Sequence, residues 1–327
     1  MPPAITIILP TFNRAHFLRE ALCSLRLQLL DRREWRVVVL DNASTDATRD
    51  VVSEFSDLPL VYDPSPTNEG ADANFARGLV RYLDTEFFAI LCDDDLYAPY
   101  HLELALRGLR ANPEAGLFAN GTIWGTALEA RSRGICDSLS EDALTLDMHR
   151  QTIVWDREAW LVLHTACSPV VITGCLFRAS ALRAMSPILT PGVFLGDRWL
   201  LARFGQQHLC VTSPWPATFI RLHGQNGYMG VRGERMAHAH QQCGNLILSL
   251  CESEKIDVVA FWKKYGGGTV AQIPEPLKAG IHDCYPEVLR RRILGSWRPS
   301  TGMLSRLGVP MTIQPAIRKM LRIFGKN

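Results

Sequence analysis

Short apolar runs that alternate with helix-patterned segments constrain this chain more than any other feature. The runs are AITIIL (4–9), WRVVVL (35–40), LPLVYD (58–63) and FFAILC (87–92). Runs of this length with little polar alternation suit strands covered on both faces. Between them, residues 16–30 place Phe17, Leu18, Ala21, Leu22, Leu25 and Leu29 at helical spacing. Ser44, Thr45 and Asp46 supply helix-start chemistry for DATRDVVSEF, with Asp46 read as a cap. Residues 70–85 form a third helical segment. Strand–helix alternation at this spacing predicts βαβ units and a mainly parallel sheet with right-handed crossovers. Ligands of such sheets bind outside the carboxyl ends of the strands. That rule selects Pro10 to Arg14, Asp41 to Asp46 and Asp93 to Asp95.

Composition narrows the class. A chain of 327 residues exceeds what one compact core usually organises. Hydrophobic residues at 47% and charged residues at 21% fit an ordinary globular protein. A formal net charge of +2 gives no general attraction to nucleic acid. The nine cysteines stand singly and no CxxC occurs, which argues against a disulfide framework or zinc site and for a reducing, cytoplasmic compartment. The amino terminus lacks the basic region and apolar length of a signal peptide, and no stretch of ~18 apolar residues is present.

Beyond residue 99 the pattern loosens. Residues 99–112 read as a helix, 116–126 as a strand with glycine breaks, and 127–150 as a long loop. Residues 156–167 read as a helix, 170–185 as a strand running into a helix, 196–205 as a helix, and 217–226 as a strand and turn. Helices follow from about residue 234, then a break at Gly266 to Gly268 and a basic tail with nine Lys or Arg and no acid over 288–327. This organisation divides into a first domain, 1–232, with halves 1–115 and 116–232, and a helical, basic extension, 233–327. The tail is open to three readings: a solvated face, a homodimer contact, or a peripheral contact with the anionic inner face of a membrane.

Three consecutive aspartates, Asp93, Asp94 and Asp95, stop the fourth apolar run. Crowded at a strand end, they raise one another's pKa and destabilise the fold unless a cation or donors offset them. Oxygen ligands without nearby His or Cys favour Mg²⁺ or Mn²⁺, which leave positions for water and substrate phosphates. The competing reading is a solvated acidic turn. Asp41 ends the second run, where a carboxylate can accept hydrogen bonds from a base edge or a ribose; turn chemistry is its alternative.

The ordered segments IILPTFNR, VVVLDNASTD, NEGADANFARGL and ILCDDDLYAP resemble the nucleotide-sugar-binding half of family 2 glycosyltransferases. Downstream, TGCLFRASAL, FLGDRWLLARFG and FIRLHGQN resemble that family's acceptor strand and helix, its base-bearing helix and its Arg-x-His segment. The resemblance covers roughly residues 4–226 and implies a GT-A-type, Rossmann-like α/β/α sandwich. It implies that Pro10, Thr11, Asn13 and Arg14 line a nucleoside pocket, and that Asp41 holds the base with Asn68, Gly70 and Asn74 close by. Asp93 and Asp94 would lie near ribose and diphosphate, Asp95 would bind the metal, and His223 would add a metal or diphosphate contact. Asp197 would be the general base, with Asp137, Glu141, Asp142 and Asp156 as rivals. Gly174 and Trp199 would lie on the acceptor side, Trp199 either stacking on a sugar or packing in the core. Two departures stand out: Gly196 precedes Asp197 where the family often has an acid, and Cys92 replaces a glycine before the aspartates.

The resemblance implies an inverting, metal-dependent transfer from a nucleoside-diphosphate sugar, UDP favoured over dTDP or GDP, to a hydroxyl acceptor. Two other readings stay open. One is a nucleotidyltransferase, against which no Gly-rich phosphate loop follows the first strand. The other is a non-catalytic nucleotide- or sugar-binding relative.

Overall fold

The computed structural model describes residues 2–125, 152–185, 196–223 and 234–265. The regions 127–150 and 187–195, the Gly266–Gly268 break, the basic tail, and Asp137, Glu141 and Asp142 lie outside these described residues.

The expected parallel half is present. Strands β1 (Ile5–Thr11), β2 (Trp35–Asp41), β3 (Leu60–Pro64) and β4 (Phe87–Ile90) pair in parallel in the order β3-β2-β1-β4. Helices α1 (Ala15–Arg26), α2 (Thr48–Ser53) and α3 (Ala71–Arg81) connect them. The sheet continues through β8 (Cys175–Arg178), β6 (Ala115–Gly125), β9 (Leu209–Arg221) and β5 (Leu96–Tyr97), while β7 (Ile153–Val154) pairs with β9. β8 runs antiparallel to both β4 and β6, so β6 and the β9 beside it share the direction of the first four strands. Helix α4 (His101–Ala111) precedes β6, and α5 (Arg157–Ala166), a 3-10 turn (Ile172–Gly174), α6 (Ala179–Ala184) and α7 (Gly196–Gln207) complete this half. Helices α8 (Glu234–Ser253) and α9 (Val258–Tyr265) open the carboxyl-terminal extension. Among the described residues no helix is long and apolar enough to cross a membrane.

Strand alternation divides the interior into two layers. Ile7, Leu9, Val37, Val39, Phe87 and Ala89 pack with α1, α2 and α4 on one face. Ile8, Val38, Leu40, Phe88 and Ile90 pack on the other with α3, α5, α7, α8 and α9. Both faces are buried, which is why these strands read as continuous apolar runs rather than alternating ones.

The topology brings many chain segments to one sheet edge. Thr11 and Asp41 are register partners at the ends of β1 and β2, and Gly125 and Arg221 at the ends of β6 and β9. Asp95 precedes β5 and Gly174 precedes β8, both antiparallel strands whose starts lie at this same edge. Pro10 sits in β1 beyond the last β4 partner, Ile8↔Ile90, so its missing N–H disrupts no ladder on that side.

Candidate active site

The three aspartates are buried at the sheet edge, each 7% exposed or less. Thr11 Oγ1 donates to Asp93 Oδ2 at 2.7 Å, and Arg14 Nη1 reaches Asp93 Oδ1 at 3.0 Å and Asp94 Oδ2 at 3.2 Å. His223 Nε2 lies 3.0 Å from the same Asp94 oxygen. Thr173 Oγ1 donates to Asp95 Oδ2 at 2.9 Å, and the Arg221 backbone N–H to Asp95 Oδ1 at 3.2 Å. Arg221 Nε donates to the Asp94 carbonyl at 2.9 Å, which ties β9 to the acidic turn.

Burial raises the Asp93 carboxyl to about 6, against the pull of Arg14 and with a push from Asp94. Burial, then repulsion from Asp94, raises Asp95 as well. Arg14 is opposed by burial, yet Asp93 and Asp94 raise its pKa and keep it charged. A carboxyl raised above its unfolded value binds its proton more tightly when folded, so its contribution is full below the unfolded pKa and is lost as pH rises through the folded one. For Asp93 that window runs from ~4 to about 6 and corresponds to ~3 kcal/mol. Urea melts of the metal-free chain at about pH 4 and about pH 7 are expected to show this loss, and Asp93→Asn to remove it. An unchanged slope in the variant refutes the assignment.

Cys92 Sγ, one Asp94 oxygen and one Asp95 oxygen all lie within 4.8 Å of one another. The expected set without nearby His or Cys is thus corrected, since a thiol joins the carboxylates; two hard carboxylates and one thiol fit a divalent cation that retains open positions, Mn²⁺ or Mg²⁺ by the oxygens. His223 stands one contact away, on Asp94, rather than within that donor group.

The nucleoside-side residues form a network between two loops. Asp41 is buried; its Oδ1 accepts from the Ser44 N–H at 2.9 Å and its Oδ2 from the Tyr62 hydroxyl at 2.6 Å. Burial and this carboxylate push the Tyr62 hydroxyl up to about 12. Asn13 binds the second loop through its own N–H to Ser44 Oγ at 2.9 Å and its Oδ1 from Thr45 N–H at 2.7 Å. Asn13 and Ala43, one in each loop, have φ of 52° and 63°. Asparagine tolerates that region, whereas alanine there costs ~1–2 kcal/mol, strain of the kind concentrated at binding sites. The cap position of α2 is Ala47 rather than the expected Asp46, but the Asp46 carboxylate accepts from Thr48 N–H at 3.0 Å and Ala15 N–H at 2.9 Å, the first residues of α2 and α1.

Asn68 Oδ1 accepts from Gly70 N–H at 2.9 Å and from Asn42 Nδ2 at 2.8 Å, while Asn42 Oδ1 accepts from Glu69 N–H at 3.0 Å. Gly70 has φ 87°, and a Cβ there would meet nothing within 4 Å, so conformation rather than space requires glycine. Asn74 is buried and braces α3, donating to the Leu40 carbonyl at 2.8 Å and accepting from Arg77 at 2.8 Å. Asn42, Tyr62, Arg77, Thr173 and Arg221 were not singled out from sequence. Thr173 sits inside the quoted TGCLFRASAL segment, Arg221 is the arginine of the Arg-x-His segment, and Arg77, paired with Asp63 at 3.1 Å, sits inside the quoted NEGADANFARGL segment.

Asp197 occupies the first turn of α7, where the helix dipole favours a carboxylate. Asp197 is exposed, yet desolvation by the surrounding protein raises its pKa. The turn Ile172–Gly174 packs against α7, and a Cβ on Gly174 would come within 3.1 Å of the Asn120 carbonyl. Trp199 is 8% exposed and belongs to the core, so packing describes it better than sugar stacking. Asp156, a rival base, caps α5 by accepting from Ala159 N–H at 3.2 Å.

Residues 6–185, more than half of the chain, match the family described as Glycosyl transferase family 2. The chain belongs to glycosyl transferase family 2. Validoxylamine A glucosyltransferase of Streptomyces hygroscopicus subsp. jinggangensis (strain 5008) is 42% identical over 96 residues, 27% of this chain and 23% of that protein. UDP-Glc:alpha-D-GlcNAc-diphosphoundecaprenol beta-1,3-glucosyltransferase WfgD of Escherichia coli is 28% identical over 119 residues, 36% of this chain and 46% of that protein. The matches thus span less than half the length of these relatives. The crystal structure of S. aureus TarS 1–349 in complex with UDP-GlcNAc aligns at TM-score 0.56 and 14% identity, over 97% of this chain and 92% of that one. Mannosyltransferase PcManGT from Pyrobaculum calidifontis, in complex with GDP-Man and Mn²⁺, aligns at 0.51 and 16% identity, over 100% and 89%. These likenesses establish the expected GT-A-type α/β fold. In this family 2 chain the matched segment contains Asp41 and the three aspartates and stops before Asp197, Arg221 and His223.

Proposed function

We propose that this chain is an inverting, divalent-metal-dependent glycosyltransferase. It moves a hexosyl or N-acetylhexosaminyl unit from a UDP-sugar to a hydroxyl of a glycan, a lipid-linked glycan or a small molecule. The observation that carries the reading is the buried cluster of Asp93, Asp94 and Asp95 at the same sheet edge as Asp41, in a family 2 chain. UDP is favoured because the E. coli relative is named for UDP-Glc and the TarS structure holds UDP-GlcNAc. Mn²⁺ in the mannosyltransferase structure supports a metal here.

The geometry supports the following roles. Asp41 and the loops joined by Asn13 and Asn42 enclose the nucleoside. Asp94 and Asp95, with Cys92 beside them, hold the cation, and Arg14 and His223 stand by for the diphosphate. A cation held by these residues would supply neutralisation of the charge that develops on the leaving diphosphate. Asp197 takes the proton of the acceptor hydroxyl as its oxygen attacks the anomeric carbon and the bond from that carbon to the diphosphate breaks.

A thermal-shift panel of UDP, dTDP and GDP, each with and without Mn²⁺, tests the reading. UDP with Mn²⁺ is expected to stabilise by ~2.7 kcal/mol at a hundredfold excess over Kd. Indifference to every nucleotide with metal rejects it.

A further inference from the structure

Arg198 follows the proposed base directly, and its side chain turns inward rather than to the site. Only 4% exposed, it donates from Nε to the His164 carbonyl at 2.8 Å and from Nη2 to the His164 and Thr165 carbonyls, each at 2.6 Å. These oxygens belong to the last turn of α5, whose carbonyls lack intrahelical partners and carry the negative end of the helix dipole. Arg198 Nη1 lies 3.2 Å from His240 Nδ1, on α8 of the extension. Arginine has only donors, so His240 Nδ1 accepts here and the ring proton sits on Nε2. One guanidinium therefore joins the end of α5, the first turn of α7 and the second turn of α8, three helices that pack on one another. That first turn carries Asp197.

We infer that Arg198 is a positioning residue for Asp197 and that His240 is its second support, so the first helix of the extension belongs to the catalytic unit. The inference rests on the reading of Asp197 as the base. Positioning matters at this scale because displacing a reacting group by ~1 Å costs up to ~100-fold in rate.

The test uses the full chain and UDP released from UDP-glucose or UDP-GlcNAc in Mn²⁺, with water as acceptor. Water's oxygen bonds to the anomeric carbon, UDP leaves with the bonding electron pair, and Asp197 receives the proton. His240→Leu is expected to lower kcat about 10–100-fold with the KM for the UDP-sugar and the UDP thermal shift unchanged. His240→Asn, whose Oδ1 replaces the Nδ1 acceptor, is expected to recover most of the rate. Arg198→Lys keeps the charge but loses the fork across two carbonyls, and is expected to match His240→Leu. Rates equal to the parent chain in His240→Leu and Arg198→Lys overturn the inference. So does a His240→Asn chain as slow as His240→Leu, or a rate loss that follows weakened donor binding. If His240→Leu does not fold, the Arg198→Lys and His240→Asn pair decides. A parent chain that binds UDP without turnover overturns the Asp197 reading, and this inference with it.

Discussion

Asp197→Asn is expected to turn over ~10²–10⁴-fold more slowly than the parent chain while binding UDP with unchanged affinity. The amide preserves the size of the carboxylate but accepts no proton. Asp197 stands on the first turn of α7 and is not a member of the metal-donor group, so the loss is expected on kcat rather than on donor KM. The raised pKa of Asp197 adds a pH signature. The base must be ionised, so activity falls as pH drops through a value above the ordinary carboxylate range, and that limb disappears in the variant. Asp156→Asn provides the contrast: it alters the cap of α5, with a cost in stability and none in kcat. A normal rate in Asp197→Asn removes the residue from the mechanism.

Asp95→Asn is expected to abolish the Mn²⁺-dependent part of UDP binding and to lower turnover ~10²–10³-fold. The fold survives, since an amide oxygen still accepts from Thr173 or from the Arg221 N–H. The same substitution relieves a buried, mutually repelling carboxylate, because burial and Asp94 both raise its pKa. Without metal the variant is therefore expected to melt no lower than the parent chain. Calorimetry of UDP with and without Mn²⁺, beside melts in a chelator, checks both halves. Retained metal-dependent binding disproves the assignment.

The parallel half was legible because burial on both faces leaves a plain mark: Ile7 and Ile8 serve opposite layers, and both must be apolar. The edge positions followed from strand direction alone, which is why Asp41, Asp93, Asp94 and Asp95 could be placed together. The second half was less legible. β6 pairs with β9 across almost a hundred residues, with register shifts near Gly121, and no local pattern encodes that partnership. Trp199 was ambiguous because an indole suits a sugar face and a core equally. Two helical positions from Asp197, it points some 200° away from it. Arg198 drew no attention since a charged residue beside a base reads as solvated, whereas its partners are carbonyls that only tertiary structure supplies. Asn74 had a motif role and proved to brace α3 on β2.

The return of β9 to the acidic turn sets a timetable for synthesis. Asp95 and its partner Arg221 are separated by 126 residues. At ~5–20 residues per second, the ribosome takes roughly 6–25 s to travel between them. The four parallel strands are complete well before that, yet their edge then holds three aspartates without the backbone clasp that β9 provides. A nascent chain at that stage carries a crowded acidic terminus on an otherwise finished sheet. Closure of the edge waits for the strand made last in the sheet.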